Sequence, residues 1–106
     1  PVIHFGTNTT TLLEAQREAG GTVIGVDWRI PLGEGWKRIG YDRAIQGNLD
    51  PLLLCGPREV AEKRARAVLA EAAGRPGHIF NLGHGIVPET PIDHVEAMIA
   101  QVRGAE

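Results

Sequence analysis

The sequence predicts an α/β fold in which parallel strands alternate with helices. Two observations carry this expectation. Short runs rich in apolar and β-branched residues recur at Val2–Phe5, Thr22–Trp28, Ala44–Leu49 and His78–Leu82, and between them the apolar residues recur at three and four, the helical period. The runs themselves are mostly apolar rather than strictly alternating, as in a parallel sheet covered on both faces.

The first run, Val2 to Phe5, ends at Gly6-Thr7. Thr10 or Thr11 is placed to cap a helix, and Glu14 stands three residues after Thr11 in capping-box spacing. Leu12, Leu13, Ala15 and Ala19 supply its apolar side, and Gly20-Gly21 stop it. Thr22 to Trp28 is the second strand. A long polar connection with several glycines follows from Ile30 to Asp42, with one helical turn near Trp36. Ala44 to Leu49 is the third strand. Asn48 and Asp50 before Pro51 suggest an Asx-type turn.

Pro57 opens the longest helix and Gly74 ends it. Ala61, Ala65, Val68, Leu69 and Ala72 form one buried stripe, and the charges between them form a solvated face. His78 to Leu82 is the fourth strand. Thr90 caps the last helix, with Pro91 at its first position and Asp93 in its first turn. Its core side is Ile92, Val95, Met98, Ile99 and Val102.

The bulk composition narrows the class. A chain of 106 residues with 42% hydrophobic and 23% charged residues has the make-up of one small globular unit. Its net charge of −2 gives no electrostatic reason to expect nucleic acid or an anionic membrane as partner. The single cysteine, Cys55, excludes an internal disulfide and fits a reducing, cytoplasmic setting. No apolar run approaches the ~20 residues of a membrane span. The opening Pro1-Val2-Ile3-His4-Phe5 lacks an initiator Met and reads as a cut through a longer chain.

Two architectures satisfy the alternation, a doubly wound sheet and part of an eight-stranded barrel. Each run stops at polar or glycine residues: Gly6-Thr7, Asp27-Trp28, Asn48 to Asp50, and Gly83-His84-Gly85. That pattern favours the barrel, whose chemistry sits on the rim at the strand C-termini. The absence of GxGxxG after the first strand weighs against a dinucleotide site.

Two strings are specific. One is Gln46-Gly47-Asn48-Leu49-Asp50-Pro51; the other is Ile79-Phe80-Asn81-Leu82-Gly83-His84-Gly85-Ile86, followed by Pro88 and Thr90-Pro91. With Gly25-Val26-Asp27-Trp28 before them, their order and spacing resemble the C-terminal region of the uroporphyrinogen decarboxylase family. The resemblance covers nearly the whole chain. It implies a (β/α)₈ TIM barrel in a cytoplasmic homodimer, with residues 1–106 as its C-terminal segment of three or four strand–helix units. It implies removal of the four acetate carboxyls of uroporphyrinogen to give coproporphyrinogen, with no metal or organic cofactor. The family's arginine-rich substrate loop, key aspartate, tyrosine and serine lie upstream of this stretch. The fragment alone is therefore expected to be inactive, and no catalytic residue is assigned within it. One departure is Leu32-Gly33-Glu34-Gly35-Trp36, where the family is usually more helical.

One family site residue maps here: the histidine of Asn-Leu-Gly-His-Gly, His84, expected to bind substrate. Its flanking glycines permit positive φ and a close backbone approach. The helix start at Thr90-Pro91 adds a modest site for a carboxylate. Asp27 could act as an acid or base if desolvated, but capping its own turn is the simpler reading. Arg29, Lys37 and Arg38 could meet a substrate carboxylate, although solvated loop charges explain them as well. His4, His78 and His94 lack metal-ligand spacing and are read as structural or surface residues. Cys55 has no partner that would make it reactive or a zinc ligand.

The competing function is transfer chemistry. Corrinoid-linked, zinc-dependent methyltransferases share the fold family and resemble the same region, often with a cysteine in the loop after the last strand. Here that loop holds His84, which favours the decarboxylase. A third possibility is non-enzymatic, an isolated folding unit or a proteolytic remnant.

Overall fold

The computed structural model describes residues 1–104. Four strands, β1 (Ile3–Phe5), β2 (Val23–Gly25), β3 (Ala44–Leu49) and β4 (His78–Leu82), pair in parallel in the order of the sequence. Helices α1 (Leu13–Ala19), α2 (Leu32–Ile39), α3 (Arg58–Glu71) and α4 (Ile92–Gly104) follow them in turn. Short 3₁₀ turns at Thr10–Leu12 and Pro51–Cys55 lead into α1 and α3.

The strand order decides between the two architectures. A doubly wound sheet reverses its order at a switch point. Among the described residues the order never reverses, and right-handed crossovers then place successive helices on one side of the sheet. This is the wall of a barrel.

The register shows which side chains face the helices. His4, Ile24, Ile45 and His78 lie in one row across the sheet. Ile24 and Ile45 in that row are fully buried, in a core with Leu13, Trp36, Leu49, Leu54, Ala65, Val68 and Met98. The next row, Phe5, Gly25, Gln46 and Ile79, faces the opposite way. Phe5 and Ile79 there are 44% and 43% exposed, so the inner face is open.

β3 and β4 run between the residues expected from their apolar runs. The two long helices start and stop near Pro57, Gly74 and Pro91 as anticipated. α3 itself ends at Glu71 with Ala72 as its cap, and the left-handed turn that follows is made by Ala73 (φ +54°) before Gly74 (φ +72°).

Other expectations are corrected. The long connection holds a full helix, α2, rather than one turn. Its two glycines lower helix propensity, but Leu32, Trp36 and Ile39 bury one face, and Trp36 Nε1 donates to the Arg43 carbonyl at 2.8 Å. Burial outweighs propensity there. No capping box forms at Thr11, because a 3₁₀ turn precedes α1 and no side chain caps either start. Leu12, Ala15 and Ala19 are exposed; Leu13 and Gln16 are the buried residues of α1. In α4, Met98 is buried while Ile92 and Ile99 are exposed. The Thr90 hydroxyl lies 3.6 Å from Cys55 Sγ, which ties α4 to the turn after β3.

Candidate functional site

The C-terminal ends of the strands gather the polar residues singled out above. Asp27, just beyond β2, is 2% exposed. Its Oδ1 accepts the Arg29 amide at 2.9 Å, so it closes its own turn as expected. Its Oδ2 accepts the Asn8 amide from the loop after β1, and also Arg29 Nη1 at 2.7 Å. Burial by itself pushes the carboxyl pKa up. The Asn8 and Arg29 amides and the Arg29 guanidinium outweigh it and hold the group below the usual 3.8. Asp27 is thus a buried, ionised anchor rather than a proton donor.

Arg29 is not a free loop charge. Its guanidinium is ion-paired with Asp27 and stacks over Trp28, 4.6 Å from the ring centroid. Arg38 is likewise engaged, with Glu14 at 2.7 Å, while Lys37 is exposed.

Asn48, at the rim end of β3, is 5% exposed. Its side-chain amide donates to the carbonyls of Asp27 at 2.8 Å and Ile30 at 2.5 Å. Asp50 makes the expected Asx turn, accepting the Leu52 amide at 3.0 Å. Asn48 therefore plays a different part from Asp50: it straps the β2–α2 connection to the sheet. Sequence reasoning treated the two as one turn. Their difference lies in partners some twenty residues away, which no local pattern encodes.

His84 sits half-buried just beyond β4. It lines a hollow of about 440 Å³ with Phe5, Gln46, Asn81, Ile86 and Val95. Its Nδ1 lies 3.0 Å from the Gly85 carbonyl, which can only accept, so Nδ1 carries the proton and Nε2 remains for another partner. The flanking glycines act differently from expectation, since neither has positive φ. Gly85 has open space around it, whereas a Cβ on Gly83 would stand 2.5 Å from the Trp28 backbone nitrogen. Gly83 is needed for close approach: the loop after β4 rests on the loop after β2. Thr90 and Pro91 do not line the hollow, and the Thr90 amide is used by the Val87 carbonyl at 3.1 Å.

The remaining histidines each hold a backbone carbonyl. His4 Nδ1 meets the Gln16 and Gly20 carbonyls, His78 Nε2 that of Gly47 at 2.8 Å, and His94 Nδ1 that of Leu54 at 2.7 Å. Cys55 is exposed beside Thr90. Among the described residues no three His, Cys, Asp or Glu side chains converge as a metal site.

Comparison with known proteins follows the same outline. In structure, the chain resembles a methyltransferase from Methanosarcina mazei with a TM-score of 0.83, over 97% of this chain and 31% of that one, at 23% identity. That likeness shows the fold: consecutive strand–helix units of a (β/α)₈ barrel. In sequence, the chain is 79% identical over 99 residues to the uroporphyrinogen decarboxylase of Sorangium cellulosum (strain So ce56). It is 49% identical over 102 residues to that of Carboxydothermus hydrogenoformans. The chain is covered to 93% and 96% in these matches but spans only 28% and 29% of the relatives' length. The family model for uroporphyrinogen decarboxylase (URO-D) matches residues 1–105. By that match the chain belongs to the uroporphyrinogen decarboxylase family.

Proposed function

We propose that residues 1–106 are the C-terminal segment of a full-length uroporphyrinogen decarboxylase. The enzyme removes the four acetate carboxyls of uroporphyrinogen and yields coproporphyrinogen, a step toward porphyrins and haem. The observation that carries this reading is the family match along residues 1–105, with 79% identity to the Sorangium relative.

The chemistry needs no external electron sink. Protonation of a pyrrole carbon turns the ring into one. The electrons of the bond to the carboxylate flow into the ring, CO₂ leaves, a proton takes its place on the methylene carbon, and the pyrrole carbon gives up the proton it had gained, which restores the ring. The protein must hold the macrocycle and stabilise the developing cation. The central aspartate and the proton donor come from upstream of this chain. The full-length protein acts in the cytoplasm as a homodimer, without metal, organic cofactor, nucleic acid or membrane as partner. Among the described residues no helix is long and apolar enough to cross a membrane.

Within this segment His84 binds substrate. Two features support that role: its place beside the open inner face, and the free Nε2 left by the bond to Gly85. With Nδ1 held by the Gly85 carbonyl, Nε2 is left to bond a polar group of the macrocycle. The test is a product assay with uroporphyrinogen under anaerobic conditions. The full-length protein is expected to give coproporphyrinogen through partly decarboxylated intermediates, and the isolated chain none. A full-length protein that leaves uroporphyrinogen intact overturns the reading.

A further inference from the structure

We infer that Asn48 is a positioning residue for His84, acting through the β2–α2 connection. This rests on the reading of His84 as a substrate-binding residue, but the mechanical link stands on contacts alone. Asn48 is nearly inaccessible, and both donors of its amide are used, on the carbonyls of Asp27 and Ile30. These carbonyls bracket Trp28 and Arg29. The segment is thereby pinned to the end of β3 at two points, one on each side of Trp28.

Gly83 then packs on the pinned segment. The space at Gly83 is so narrow that a Cβ would meet Trp28 N at 2.5 Å and Trp28 Cβ at 3.0 Å. The Gly83 amide donates to the Leu49 carbonyl at 2.7 Å, next to Asn48. The residue before His84 is thus clamped between the end of β3 and the Trp28 backbone. If Asn48 releases the connection, the surface under Gly83 moves, and His84 moves with it. Asn48 needs no contact with substrate to matter, because displacement of a binding group by about 1 Å can cost a hundredfold in rate.

The test uses the full-length protein labelled with ¹⁵N-histidine. Asn48→Ala removes both straps, and Gly83→Ala pushes on the same loop from the other side. Both are expected to shift the ring signals of His84, assigned by their loss in His84→Asn, and to leave those of His4 and His94 in place. Turnover of uroporphyrinogen is expected to fall about fivefold to twentyfold in Asn48→Ala. Added to His84→Asn, the same change is expected to cost less than a further twofold, because residues acting through one another are not additive. Unmoved His84 signals in a folded variant overturn the inference, as does a fully additive loss. Should Asn48→Ala not fold, Gly83→Ala with unmoved signals does the same. If His84→Asn alone leaves turnover intact, the substrate role of His84 falls, while the signal shifts still judge the link.

Discussion

The carboxylate of Asp27 holds the backbone amide of Asn8, a residue nineteen positions earlier in the chain, while it also closes its own turn on Arg29. One buried side chain thus joins the loops that follow two neighbouring strands. The ring of contacts continues through Asn48 on the Asp27 carbonyl and Gly83 on Trp28. The rim is built as a linked set of loops, with His84 at one end.

Asp27 is expected to stabilise the fold in a pH-dependent way. Its folded pKa lies below its unfolded value. The contribution is therefore complete above the unfolded pKa, near pH 4, and is lost as pH falls through the folded one. Asp27→Ala leaves the Asn8 and Arg29 amides without their acceptor and is expected to cost about 1–3 kcal/mol at neutral pH. Thermal melts of both proteins between pH 3 and 7 check this: the gap in Tm should narrow on the acid side of pH 4. A constant gap would mean that the charge contributes nothing.

Replacing Trp36 by Ala removes the largest fully buried side chain and its bond to the Arg43 carbonyl. The expected loss is about 3–5 kcal/mol. Denaturant titration of the full-length protein measures it. A loss below 1 kcal/mol would show that α2 contributes little to the core.

α2 also marks where the sequence stopped being legible. β3 and β4 could be read to the residue, because each carries apolar residues from end to end and is closed by residues that interrupt pairing, Asp50-Pro51 and Gly83. α2 has eight residues and two glycines, and it is helical only because Trp36, Leu32 and Ile39 find a core to enter. That core is assembled by other segments. At the rim, the Asx turn of Asp50 and the turn-closing role of Asp27 were legible, since their partners lie two residues away. The roles of Asn48 and Gly83 were not, since their partners come from a different strand end.

His84→Asn in the full-length protein keeps one donor and roughly the shape of the ring. The expected loss in kcat/KM is about tenfold to a hundredfold, or roughly 1.4–2.7 kcal/mol at the transition state. Tm is expected to change little, because the half-buried ring's hydrogen bond goes to the carbonyl of its own neighbour, Gly85, and ties no distant segment. An unchanged rate would make His84 a bystander, and a collapsed Tm would make it a structural histidine like His78.

Exhaustive chelation is expected to leave the decarboxylation rate of the full-length protein unchanged. The described residues bring no zinc donor set together, and Cys55 has a threonine hydroxyl beside it. A rate lost to chelation and restored by zinc would redirect attention to transfer chemistry.

The unreversed strand order has a consequence for how such a wall is made. β2, β3 and β4 are each hydrogen-bonded to the strand that precedes them in the chain, at a distance of one helix. During synthesis, β2, β3 and β4 each meet a neighbour that has already been made. Growth proceeds by addition at one edge, and that edge at any moment is the strand most recently completed.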